Sequence, residues 1–182
     1  MKKTIIVLIT AIFLSGLANA SEFIFEIKGH YFNPSEKAFK DIYGGGLMYG
    51  GEATIAIWRN IELWFGGSYF SKKGELTFTK EETKIKIVPI GAGVKYLFPV
   101  LEIIDGYGGM GINYYSYKEE NPIGEVSKDG IGILVKTGAL VKVIKGLIID
   151  VYINYSYCKM KPADFDINIG GIEAGMGIGY EF

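Results

Sequence analysis

His30 is the only imidazole in the 182-residue chain, so a hydroxyl nucleophile would have to take its base from that one position. Serine is a weak nucleophile unless a base stands within hydrogen-bond reach. Ser68 and Ser156 are the serines that could approach His30, but no spacing ties either to it, and the residue reads as a polar interior side chain. A second set, Glu26, Lys28, Glu52, Glu62, Lys95, Asp105, Lys136, Lys142, Asp150 and Glu173, shares one parity in segments that alternate like strands. Paired carboxylates can serve as acid and base, yet here lysines are interspersed among them. In a narrow interior unpaired charge is costly, so this composition predicts a satisfied salt-bridge network. The run Gly106-Tyr107-Gly108-Gly109-Met110-Gly111 lies mid-strand with no helix after it, which is not the context of a phosphate-cradling loop. Cys158 is the only cysteine; it cannot form an internal disulfide and is too few for a thiolate metal cage. No catalytic residue, cofactor or metal is expected.

These positions gain meaning from the elements that carry them. From Phe23 onward no helical period is long enough to trust, whereas alternation with a period of two recurs to the end. Turn signals divide the chain into eight segments, about 22–32, 46–58, 61–71, 85–98, 102–117, 130–143, 147–159 and 169–182. Most reach the roughly 9–11 residues that a tilted strand needs to cross a bilayer. The connections at Arg59-Asn60, Pro99 to Leu101 and Ile144 to Gly146 are tight. Those around Asn33 to Gly45, Lys72 to Lys84, Lys118 to Asp129 and Met160 to Asn168 are long and polar. In an antiparallel meander successive connections fall on opposite ends, so all the tight turns share one rim. Before this domain, Lys2 and Lys3 precede an uncharged apolar run from Ile5 to Leu17, and Ala18-Asn19-Ala20 completes the pattern of a signal peptide cleaved after Ala20. That leaves residues 21–182 as one domain, with 17 basic and 20 acidic residues and no footprint for nucleic acid.

Each strand has an apolar face and a polar or tiny one. In the last, Ala174, Met176, Ile178, Tyr180 and Phe182 oppose Glu173, Gly175, Gly177, Gly179 and Glu181. A soluble ligand-binding barrel would turn the apolar face inward. Here the glycine-rich face suits the cramped interior of eight strands, and the aromatics sort by height. Phe23, Phe25, Tyr96, Phe98, Tyr180 and Phe182 lie at the short-turn rim. Tyr31, Tyr49, Tyr69, Tyr114, Tyr115, Tyr155 and Tyr157 lie at the other. Two aromatic girdles around an apolar band are what a bilayer requires. The predicted fold is all-β: an eight-stranded antiparallel up-and-down transmembrane β-barrel, closed because hydrocarbon leaves no backbone group unpaired. Trp64 has inward parity, as a lumen plug or through a bulge near Gly66-Gly67 that shifts the register.

The ending Gly177-Ile178-Gly179-Tyr180-Glu181-Phe182 carries a terminal Phe, an aromatic two residues earlier and apolar residues at alternate positions upstream. It resembles the C-terminal assembly signal of the small OmpA/OmpX-type outer-membrane barrels, a resemblance of pattern that spans residues 21–182. Asp41 to Gly46 and Tyr49 to Glu52 resemble the same group less specifically. The resemblance implies that Met176, Ile178, Tyr180 and Phe182 are read by the barrel-assembly machinery. It also implies a monomer in the outer membrane of a Gram-negative-type bacterium, with both termini periplasmic and with outer-membrane lipid and lipopolysaccharide as partners. Lipid A deacylases and palmitoyltransferases of similar size resemble this fold and use His with Ser, in some cases as His-x-Ser; here His30 is followed by Tyr31 and Phe32. Barrel family does not set activity. The function expected is non-enzymatic, in envelope integrity or surface contact through the external loops. The alternatives are a narrow channel for small or hydrophobic solutes, as proposed for OmpW-like relatives, and then a lipid A-modifying enzyme.

Overall fold

The computed structural model describes residues 23–75, 81–122, 124–161 and 166–182; the expected signal peptide lies outside the described residues. In chain order the elements are β1 (Phe23–Pro34), α1 (Lys37–Tyr43), β2 (Gly46–Trp58), β3 (Ile61–Glu75), β4 (Glu82–Leu101), β5 (Ile104–Asn121), β6 (Gly124–Ile144), β7 (Leu147–Tyr157), β8 (Lys159–Met160), β9 (Ile167–Asn168) and β10 (Gly171–Glu181). Eight of the strands close into a barrel in the order β1-β10-β7-β6-β5-β4-β3-β2, and β8 pairs with β9 in a small separate ribbon. Every neighbouring pair is antiparallel, and β1 closes on β10 from Ile24 opposite Glu181 to Pro34 opposite Gly171. The Phe182 N–H donates to the Phe23 carbonyl at 2.9 Å, so both ends of the barrel domain meet at the short-turn rim.

The short turns are Arg59-Asn60, Glu102-Ile103 and Lys145-Gly146, so the second lies slightly later than the expected Pro99 to Leu101. Arg59 and Gly146 take positive φ, 41° and 80°, the backbone that tight hairpins require. At the opposite end the structure corrects the expected loops. The β3–β4 ladder continues out to Glu75 opposite Glu82, and the β5–β6 ladder to Asn121 opposite Gly124. Polar composition marks solvent exposure, and a hairpin projecting into solvent needs no apolar outer face. The first connection holds α1, contrary to the expected absence of helix. A seven-residue helix is only about two turns, too few for a 3.6-residue period to stand out.

The outward face is an uncovered apolar band that includes Ile27, Met110, Ile112, Ile131, Val151, Ile153, Met176 and Ile178. The girdles flank it, with one correction. Tyr115 is buried inside, where its hydroxyl accepts a bond from Asn113 Nδ2 at 3.3 Å. Tyr114 and Tyr115 are consecutive, so alternation permits only one of them outside.

Candidate functional site

Alternation turns Glu26 and Lys28 of β1, Glu52 of β2, Glu62 of β3, Lys95 of β4, Lys136 of β6 and Asp150 of β7 into the lumen, where all are buried. Barrel closure brings these seven, scattered over more than a hundred residues, into one layer. Lys28 Nζ lies 2.8 Å from Asp150, 3.3 Å from Glu52 and 3.5 Å from Glu26. Lys95 Nζ lies 3.4 Å from Glu62, 3.5 Å from Glu52 and 3.9 Å from Glu26. Lys136 pairs with Glu52 and stands 4.3 Å from the centre of the Trp64 ring. Glu52 therefore joins all three lysines. The Tyr107 hydroxyl donates to both Asp150 oxygens, at 3.0 and 3.1 Å.

Asp105 and Lys142 form a separate pair at 2.9 Å, with Lys142 half-exposed at the short-turn mouth. That mouth is a vestibule of about 260 Å³ over a floor of Ile24, Leu97, Leu140 and Ile148. On the other side of the ionic layer, Glu173 accepts from Asn154 Nδ2 at 3.3 Å and from the Ser156 hydroxyl at 3.4 Å. His30 points inward as its parity predicts. Its Nδ1 shares a hydrogen bond with the Tyr152 hydroxyl at 2.9 Å, and its Nε2 lies 3.9 Å from Glu173. Its neighbours are thus a phenol and a carboxylate, while Ser156 is bonded to Glu173 and to the Gly171 backbone. Trp64 fills the lumen. The β2–β3 ladder keeps its register through Gly66 and Gly67, and its bulge lies at the turn end between Ala56 and Trp58.

His30, Trp64, Lys136 and Glu173 line a small polar cavity of about 50 Å³. Beyond it the lumen holds an apolar cluster of Phe32, Met48, Phe70, Ile85 and Ile87, against which Phe39 and Tyr43 of α1 pack. The α1 cap is fastened by Lys72 Nζ, which donates to the Gly45 carbonyl at 2.9 Å, and by the Tyr43 hydroxyl, 2.9 Å from Thr83 Oγ1 and 2.8 Å from Glu119. Burial pushes the Tyr43 phenol above its ordinary pKa, so it remains a neutral donor. Gly74 lets the cap sit close, because a Cβ there would lie 2.3 Å from the Ile42 carbonyl oxygen.

No family model matches the chain, and no curated protein matches it in sequence. Solved structures do match in shape. Neisserial surface protein A superposes with a TM-score of 0.68 at 18% identity, covering 88% of this chain and 97% of that one. The outer membrane protein OprG from Pseudomonas aeruginosa gives 0.68 at 14%, covering 90% and 96%. Ail, the attachment invasion locus protein of Yersinia pestis, gives 0.54 at 17%, covering 88% and 98%. The fold is that of the small outer-membrane β-barrels. Within it, one feature escaped the alternation pattern. Between Gly67 opposite Ile90 and Phe70 opposite Ile87, the β3–β4 ladder has a two-residue gap at Ser68-Tyr69 and Val88-Pro89. Pro89 has no N–H to donate there, and Gly66, Gly67, Ser68 and Gly91 thin the same wall beside the polar cavity. A proline inside a strand was the signal available in sequence.

Proposed function

We propose that this protein is an integral outer-membrane barrel without enzymatic activity, acting in envelope integrity or surface contact through α1 and the external hairpins rather than as an open pore. The observation that carries this reading is the lumen, obstructed at two heights. Three buried lysines converge on Glu52, and an apolar plug sits under α1. The uncovered apolar band supports residence in a bilayer, since so large an exposed apolar surface is otherwise a binding or aggregation site. The refolded protein in planar bilayers is expected to show no unitary conductance. Replacing the α1 connection and both long hairpins by short turns is expected to remove adhesion and envelope phenotypes while the barrel still folds. Steady conductance, or unchanged phenotypes in the loopless barrel, refutes the proposal.

The Pro89 gap favours a second reading, passage of a hydrophobic solute through the apolar external cluster and sideways between β3 and β4 into the bilayer. Pro89→Val restores the donor and narrows the seam. Uptake of an apolar solute that is unaffected by this change removes that reading.

A further inference from the structure

Eight strands enclose an interior narrow enough for side chains to fill, yet at the short-turn mouth they leave the vestibule of about 260 Å³. At about 30 Å³ per water in the liquid, that is room for roughly eight waters or an organic molecule of that bulk. Its floor is aliphatic, with Ile24, Leu97, Leu140 and Ile148 supplied by four different strands. Apolar surface open to water gains free energy when an apolar group covers it.

The rim is charged, and unevenly satisfied. Five ionic side chains line the vestibule, and three of them are engaged. Asp105 pairs with Lys142 at 2.9 Å, and Glu62 pairs with Lys95 deeper in the lumen at 3.4 Å. The other two, Arg59 and Glu181, form no ion pair among the described residues. Glu181 has the inward parity of Gly177 and Gly179, and its direct partner across the β1–β10 ladder is Ile24 of the floor. Lys145 shares an adjoining recess of about 150 Å³ with Glu181 but makes no ion pair with it. Arg59 is held over the mouth by its turn. Its φ of 41° ends β2 sharply, and the next residue, Asn60, is tied to β4. The Asn60 carbonyl accepts from the Leu97 N–H at 2.8 Å, and Asn60 Nδ2 donates to the Leu97 carbonyl at 2.9 Å. The guanidinium lies 6.0 Å from the centre of the exposed Trp58 ring, at the limit of cation–π attraction.

We propose that this vestibule binds a short zwitterionic peptide with aliphatic side chains: its ammonium at Glu181, its carboxylate at Arg59 and its side chains on the floor. Charge-assisted hydrogen bonds favour both pairings, and a guanidinium meets a carboxylate as a fork. Topology sets the length. β1 lies between β10, which carries Glu181, and β2, which leads into Arg59. Two strand spacings are about 10 Å, and the same separation keeps Arg59 and Glu181 from pairing with each other. In a single amino acid one carbon separates the two charges, too little to reach both. Two or three extended residues, at about 3.3–3.6 Å each, cover what remains once the two side chains have reached inward. The site is made by the barrel wall and its turns, and it does not depend on the role of the external hairpins. It rests on the outer-membrane reading only for the side it faces, the periplasm.

The test uses wild-type protein refolded into phosphatidylcholine nanodiscs, with heat-modifiable mobility scoring folding and empty nanodiscs as the blank. Binding is read by calorimetry and by methyl NMR shifts. The probes are leucyl-leucine with free termini, the same dipeptide acetylated at its N-terminus, the same dipeptide amidated at its C-terminus, and free leucine. The free dipeptide is expected to bind and to shift the methyls of Ile24, Leu97, Leu140 and Ile148. Each blocked form should bind roughly tenfold more weakly, the worth of one hydrogen bond to a charged group, and free leucine more weakly than the free dipeptide. Glu181→Gln should erase the difference between free and acetylated dipeptide. Arg59→Asn should erase that between free and amidated, and asparagine suits the positive φ of this turn. Leu140→Trp fills the vestibule and should abolish binding of every probe; the two rim variants carry the test if it does not fold. Wild-type protein that binds no dipeptide, equal binding of free and blocked forms, or unchanged affinity in both folded rim variants overturns the site. Free leucine binding as tightly as the dipeptide overturns the peptide assignment.

Discussion

Replacing Glu52 by Gln removes the carboxylate that three buried lysines share. Lys28 keeps Glu26 and Asp150, and Lys95 keeps Glu26 and Glu62. Lys136 loses its carboxylate and keeps the Trp64 ring at 4.3 Å. Breaking a buried ion pair by deleting one partner costs about 3–5 kcal/mol, chiefly because the remaining charge is stranded. With two of the three lysines still partnered, about 3 kcal/mol is expected for Glu52→Gln. Lys136→Met should cost a similar amount. The double variant removes both members at once, so it should cost about 3 kcal/mol rather than the sum, a coupling of about 3 kcal/mol. Urea unfolding of the barrel in lipid vesicles, followed by tryptophan fluorescence, is the assay. With a slope of about 2 kcal/mol per molar, each single change should lower the midpoint by about 1.5 M. Shifts below about 0.5 M, or additive effects in the double variant, would refute the reasoning. They would mean that water in the lumen screens these charges as it does on a surface.

Deleting Phe182 removes one backbone bond, worth about 1 kcal/mol, and the contacts of an exposed ring with Phe23 and Tyr180, so refolding into vesicles should survive while folded outer-membrane protein in cells falls several-fold; equal cellular levels would remove the assembly role of the terminal strand. Gly93→Ala would set a Cβ 2.1 Å from the Met110 carbonyl oxygen and 2.5 Å from the Gly111 Cα. That backbone collision should cost about 1–3 kcal/mol, against a near-neutral Gly108→Ala, where a Cβ meets nothing within 4 Å; equal urea midpoints for the two would contradict the packing. Cys158, just beyond β7, is fully buried, and burial pushes its thiol up to about 11. Alkylation at pH 8 should therefore be slow in the folded barrel and fast in urea, and equal rates would contradict its place in the apolar cluster.

Much of this molecule was legible from one local rule. A strand alternates with period two, so the strand count, the outward apolar band, the terminal face of Met176, Ile178, Tyr180 and Phe182, and the inward set from Glu26 to Glu173 could be read residue by residue. Parity says which way a side chain points but not what it meets. Glu52 and Lys136 are 84 residues apart, and only barrel closure and strand register carry one to the other. For the same reason Asp105 and Lys142 share the inward parity yet pair at the mouth, away from the other ions. Polar composition does not separate loop from strand at this end, because hairpins beyond a bilayer can be polar on the outside and still hold their ladder. The helix α1 has too few turns to declare a period, and the gap at Pro89 depends on which neighbour its missing N–H faces. Sequence by itself determined the barrel, since its cause is local and repeated along every strand; tertiary structure decided which inward side chains meet at each height of the lumen, since that depends on contacts across the barrel which no single strand encodes.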